Sequence, residues 1–136
     1  MKVPGMLVMT QFITYVGGIA LSMPIHAQSS RWEVPASAQN IKSPYNLKDP
    51  KLIALGKKLY SKHCNICHGA KGKGDGVAGL ALNPKPANFT TDAFQSQASG
   101  VIFWKITHGN PPMASYESIL SEKERWALVA YLRTLK

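Results

Sequence analysis

A chain of 136 residues has room for one domain and a short appendage, and 45% hydrophobic against 17% charged residues is globular composition. Its two cysteines exclude a scaffold held by several disulfides. An excess of 16 Lys+Arg over 7 Asp+Glu gives a formal charge of +9, which suits nucleic acid, an anionic membrane surface or an acidic protein partner without choosing among them.

The first 27 residues place one basic residue, Lys2, ahead of an apolar run from Met6 to about Leu21, and a polar stretch ends at Ala27. That is the layout of a secretory signal peptide, with cleavage expected between Ala27 and Gln28. Ile25 is bulkier than the usual small residue at its position. The rival reading is an uncleaved membrane anchor, but the run is barely long enough to cross a bilayer and contains Thr10, Gln11 and Thr14. The expected location is the periplasm, or otherwise exported, with the anchored form facing the same side. Cleavage removes Met1, Met6, Met9 and Met23, which leaves Met113 as the only methionine.

Residues 28–48 contain Pro35, Pro44 and the large aromatic Trp32 without periodicity, and read as an extended arm ahead of a domain at 49–136. Asp49 and Pro50 then open a helix as N-cap and first helical residue. Leu52, Leu55, Leu59 and Tyr60 give it an apolar stripe, and Lys51, Lys57, Lys58 and Lys62 a charged face. Gly56 within that stripe is explained by close approach of another helix. The segment from Gly69 to Ser99, with Gly72, Gly74, Gly76, Gly79, Pro84 and Pro86, has no helical or strand pattern. So long an irregular stretch suits a small domain only if something other than peptide fills the centre. A short helix over Gly100–Thr107 follows, closed by Gly109, and then the loop Asn110-Pro111-Pro112-Met113. The last helix begins with the capping box Ser121–Glu124 and carries Trp126, Leu128, Val129, Ala130, Tyr131 and Leu135 on a broad apolar face. No strand pattern competes, so the fold is expected to be all-α.

Cys64-Asn65-Ile66-Cys67-His68 is C-x-x-C-H, the attachment signature of c-type haem. On a helical turn, positions i, i+3 and i+4 share one face, so both thiols and the imidazole point the same way. The sulfurs can then add to the two vinyl groups of one haem, with His68 under the iron. Two other readings are a reducible disulfide of thioredoxin type, whose βαβ context is missing, and a zinc site completed by two histidines. For the second iron ligand, Met113 is favoured, because a flexible side chain directly after two prolines is a poor packing choice. His108 competes, but a histidine at a helix C-terminus suits bonding to local carbonyls. His63, next to Cys64, reads as surface.

The chain resembles the class I c-type cytochromes, specifically the bacterial single-haem periplasmic branch. The resemblance rests on Gly56-Lys57-Lys58-Leu59-Tyr60, Cys64-Asn65-Ile66-Cys67-His68-Gly69 and Gly72-Lys73-Gly74-Asp75-Gly76. It continues in Leu82-Asn83-Pro84-Lys85-Pro86-Ala87-Asn88-Phe89, Gly109-Asn110-Pro111-Pro112-Met113 and Leu128-Val129-Ala130-Tyr131-Leu132. It implies the cytochrome c fold: three to four helices around one covalently bound haem c, terminal helices crossing, and Gly56 and Tyr60 against Tyr131. It also implies that a proline carbonyl, of Pro84 or Pro86, steadies His68, that Phe89 and Trp104 wall the pocket, and that folding depends on haem. The Trp32–Leu47 arm matches nothing general in that family.

The function so implied is one-electron transfer by a monomeric carrier that is not an enzyme. Cys64 and Cys67 hold the haem, His68 and Met113 ligate its iron, and the partners are redox donors and acceptors of a respiratory chain. Lys62, Lys71, Lys73 and Lys85 flank the motif and suit acidic docking faces. No basic helix or aromatic-interleaved patch supports nucleic acid, and membrane contact is expected only through a partner or an uncleaved N-terminus. The alternatives are a haem sensor or peroxidase-like enzyme with an open sixth position, and a fixed electron-transfer subunit of a respiratory complex.

Overall fold

The computed structural model describes residues 32–136, so the expected leader over residues 1–27 lies outside the described residues. Helix α1, Pro50–His63, starts as expected, with the Asp49 carboxylate accepting from the Lys51 N–H at 2.9 Å. Its buried face is Leu52, Gly56, Leu59 and Tyr60. A single turn, α2 (Asn65–His68), follows directly and carries the C-x-x-C-H motif. Further along come the single turn α3 (Asp92–Gln95), then α4 (Ser99–His108) and α5 (Glu122–Leu132). Among the described residues there is no strand, only an isolated bridge between Asn110 and Met113. The fold is all-α, with three long helices and two single α-helical turns among the described residues.

The capping box at α5 is complete: Ser121 Oγ accepts from the Glu124 N–H, and the Glu124 carboxylate accepts from the Ser121 N–H at 2.8 Å. Every residue from Trp126 to Leu132 is buried, so α5 has no solvent face over that stretch. Helix α1 covers one side of it. At the crossing a β-carbon on Gly56 would collide with the Ala127 carbonyl oxygen, which explains the glycine in the apolar stripe. The Tyr60 ring lies 5.2 Å from that of Tyr131. Helix α4 covers another side, where Phe103 stacks on Trp126 with centroids 4.2 Å apart.

The arm is not simply extended. Residues Ala36–Asn40 form a 3-10 turn that packs on α4, and Ala38 is fully buried there. The glycine-rich segment also holds more structure than its composition suggests: α3, capped by Thr91 accepting from the Phe94 N–H, and a 3-10 turn at Gly79–Ala81. Elements this short cannot display a 3.6-residue period, so the sequence pattern misses them. The segment is pinned to α2 by backbone bonds, Gly74 N–H to the His68 carbonyl at 2.8 Å and Ala78 N–H to the Ile66 carbonyl at 3.0 Å. A β-carbon on Gly76 would meet the Ile66 carbonyl oxygen at 2.5 Å, so the loop can lie this close only through a glycine. This pinned loop wraps the motif.

Candidate haem-attachment cavity

Helix α1 ends where Cys64 breaks its geometry, and the His68 N–H to Cys64 carbonyl bond, 2.9 Å, closes the turn of α2. Cys64, Cys67 and His68 line a cavity of about 450 Å³. Its remaining walls are mainly apolar, with Phe89 and Phe94 from the long loop, Ile102 and Ile106 from α4, and Leu128 and Leu132 from α5. No Asp or Glu side chain lines it among the described residues.

His68 is held from two directions. Its Nδ1–H donates to the Ala87 carbonyl at 3.1 Å, and its ring stacks on Phe89 with centroids 4.4 Å apart. The bond to a carbonyl fixes the proton on Nδ1 and leaves the lone pair on Nε2, the form that binds a metal. Burial lowers the pKa of His68, against the opposing pull of the Ala87 bond, and so favours the neutral imidazole. The expected proline carbonyl is therefore replaced by that of Ala87. The Pro86 carbonyl is directed toward Gly74, where a β-carbon would approach it.

Burial, then the neighbouring Cys67, pushes the Cys64 thiol up to about 12. A thioredoxin-type redox motif requires the reverse, a thiolate favoured near neutral pH. The zinc reading also fails, because no three His, Cys, Asp or Glu side chains are grouped to hold a metal ion among the described residues.

The loop after α4 carries Pro111, Pro112 and Met113 into the cavity wall. Asn110 and Met113 exchange backbone hydrogen bonds of 3.0 and 2.9 Å, which set the loop's shape. Beyond it, Tyr116 lines the cavity and donates its O–H to the His63 carbonyl at 3.0 Å, fastening this loop to the end of α1. Nothing in the local pattern around Tyr116 signals that role. His108 is exposed, its Nδ1–H donating to the Trp104 carbonyl at 2.9 Å, and it does not line the cavity. His63 is half-buried at the cavity edge rather than on the surface, with its ring against Tyr116.

Of the two expected walls, Phe89 is one and Trp104 is not. Helix α4 turns Ile102, Lys105 and Ile106 toward the cavity, and Trp104 stacks on His108 elsewhere. The arm supplies a tryptophan instead, Trp32. The sequence marks Trp32 as the arm's large aromatic but assigns it no place, because the arm has no periodicity.

Two thiols and an imidazole on one helical turn, facing an apolar cavity without carboxylates, fit covalent attachment of a haem. A family model described as cytochrome C oxidase, cbb3-type, subunit III matches residues 51–132. The chain belongs to this family. It is a class I c-type cytochrome, and the family implies covalently bound haem c and haem-based electron transfer. Among solved structures, the cytochrome resembles a chain of the Kuenenia stuttgartiensis reducing HAO-like protein complex Kustc0457/Kustc0458 at 28% identity and a TM-score of 0.58. That match covers 73% of this chain but 54% of the other, so the cytochrome spans about half of its length. It also resembles the KustC0563 c-type cytochrome, at 32% identity and a TM-score of 0.51, over 60% of this chain and 96% of that one. No curated protein matches the chain.

Proposed function

We propose that this cytochrome carries single electrons between redox proteins of a respiratory chain outside the cytoplasm. One haem c would be held by Cys64 and Cys67, with His68 and Met113 as the side chains that would bind its iron. The observation that carries this reading is the meeting of Met113 and His68 on one cavity, while His108 stays outside it. Bound haem supplies a ferric/ferrous couple that takes and gives one electron. His68, its Nδ1–H anchored on Ala87, offers Nε2 in a fixed orientation. The thioether of Met113 favours the ferrous state and raises the potential. With both side chains bound, substrate and oxygen meet no open position, which suits a carrier rather than an enzyme.

The ferric absorption spectrum tests the ligation. The weak far-red band of methionine-ligated haem is expected in the wild type and is lost in Met113→Ala. A wild-type spectrum without it would sink the reading. Export is tested by the mass of the mature protein, expected to begin at Gln28.

A second reading, a fixed electron-transfer subunit, draws on the description of the matching family and on the complex that contains one structural neighbour. Size-exclusion of native extract separates the two: a free carrier elutes as a small haem-containing monomer.

A further inference from the structure

Lys105 is a half-buried lysine on α4 that lines the cavity. Its Nζ donates to Gln97 Oε1 at 2.7 Å and sits 5.7 Å from the centroid of the Trp32 ring. Burial lowers its pKa, and no acidic group among the described residues pulls it back. A cation withdrawn from water without a carboxylate partner is costly, so its charge calls for an anion inside the cavity.

The cofactor supplies one. Haem carries two propionate carboxylates on the half of the macrocycle away from its vinyl groups. Cys64 and Cys67 tie the vinyl half to α2, which packs on α1 and on the Gly79–Ala81 turn. Helix α4 packs on α5 and on the arm, so Lys105 stands on a different wall. The cavity has no Asp or Glu of its own among the described residues, and its other lysine, Lys85, is exposed.

We infer that Lys105 is the counter-ion of a haem propionate, and that Trp32 and Gln97 clasp its ammonium in place. The N-terminal arm thereby acquires a role, since Trp32 is a positioning residue that acts through Lys105 by a cation–π contact. Gln97 is itself braced, because its carbonyl accepts from the Arg133 guanidinium of α5. The inference rests on haem occupying this cavity.

The other ionisable groups have other engagements or positions. Arg133 donates to the carbonyls of Gln95 and Gln97, and Arg125 to those of Glu117 and Leu120. On α4, His108 donates to the Trp104 carbonyl. On the arm, Glu33 and Lys42 do not line the cavity. His63, His68, Tyr116 and Lys85 do line it, and they are common to all the variants below.

The test is a potentiometric titration of the haem-loaded protein across the neutral pH range. The wild type should keep a flat potential, since the paired propionate stays ionised. In Lys105→Gln the propionate pKa rises into this range. Oxidised iron favours the ionised carboxylate, so the potential should fall as pH rises. Lys105→Arg and Trp32→Phe should restore the flat profile, and Trp32→Ala should show a smaller slope. A Lys105→Gln profile equal to the wild type, or a slope in Lys105→Arg, overturns the clasp. Should Lys105→Gln not load haem, redox-difference infrared spectra of the wild type decide. Only ionised carboxylate bands are expected at neutral pH, and a protonated carboxyl band overturns the proposal. The far-red band reads ligation separately: a Lys105→Gln protein that keeps it while showing no slope removes the clasp and leaves the ligand assignment intact.

Discussion

A methyl group at Gly56 has nowhere to go between α1 and α5, because the Ala127 carbonyl is backbone and cannot rotate aside. Gly56→Ala should force the helices apart and cost about 1–3 kcal/mol, read as a lower denaturant midpoint of the haem-loaded protein. Tyr60 nearby is buried, and its O–H donates to the Gly69 carbonyl at 2.6 Å. Burial drives its titration above the ordinary tyrosine range, with Cys64, Tyr131 and Asp75 adding to the effect. Tyr60→Phe removes one of the two hydrogen bonds that this carbonyl accepts, the other coming from the Gly72 N–H at 3.1 Å, and should cost about 1 kcal/mol by the same measurement. At this scale, spacing alone singled out Cys64, Cys67 and His68, and Met113 stood out as the lone methionine after residue 27. Ala87 was hidden, because it acts through a backbone carbonyl that any residue could supply. Tyr116 and Trp32 were hidden for a related reason: their roles depend on where aperiodic chain is brought in space.

Among the elements, both members of the long helical pair carry their own start signals. Asp49 and Pro50 start α1, and Ser121 with Glu124 starts α5, so these two helices could be read directly. Helix α4 extends one residue past the expected bounds at each end, which is ordinary fraying of an end assignment. Composition concealed α3 and the two 3-10 turns, since so few residues cannot show periodicity. The α5 cap yields a pH prediction. Hydrogen bonds from the backbone N–H and side chain of Ser121 hold the Glu124 carboxyl below the usual range. Because the folded pKa is depressed, this stabilisation is present above the unfolded pKa and lost as pH falls through the folded one. Ser121→Ala should lower the melting temperature near neutral pH and shrink that loss on acidification, measured by thermal melts over an acid pH series.

For the whole molecule, the cavity explains why so much irregular chain is tolerated in so small a domain. Residues from the long loop, α4 and α5 face it with apolar side chains that peptide alone does not cover. Replacing Cys64 and Cys67 together by serine should abolish covalent haem and with it cooperative thermal unfolding, followed by circular dichroism. Cooperative unfolding in that variant would show that the helices do not need the cofactor. Charge acts at the same scale: Lys62, Lys71, Lys73 and Lys85 are all exposed, as a docking collar requires. If they meet an acidic partner, electron-transfer rates should fall as salt rises, since screening sets in within about 8–10 Å. The central claim is that His68 and Met113 together close the iron of an electron carrier. Exposure of the reduced protein to carbon monoxide tests it most directly. The wild-type spectrum should stay unchanged while Met113→Ala binds the gas; ready binding by the wild type would contradict the account.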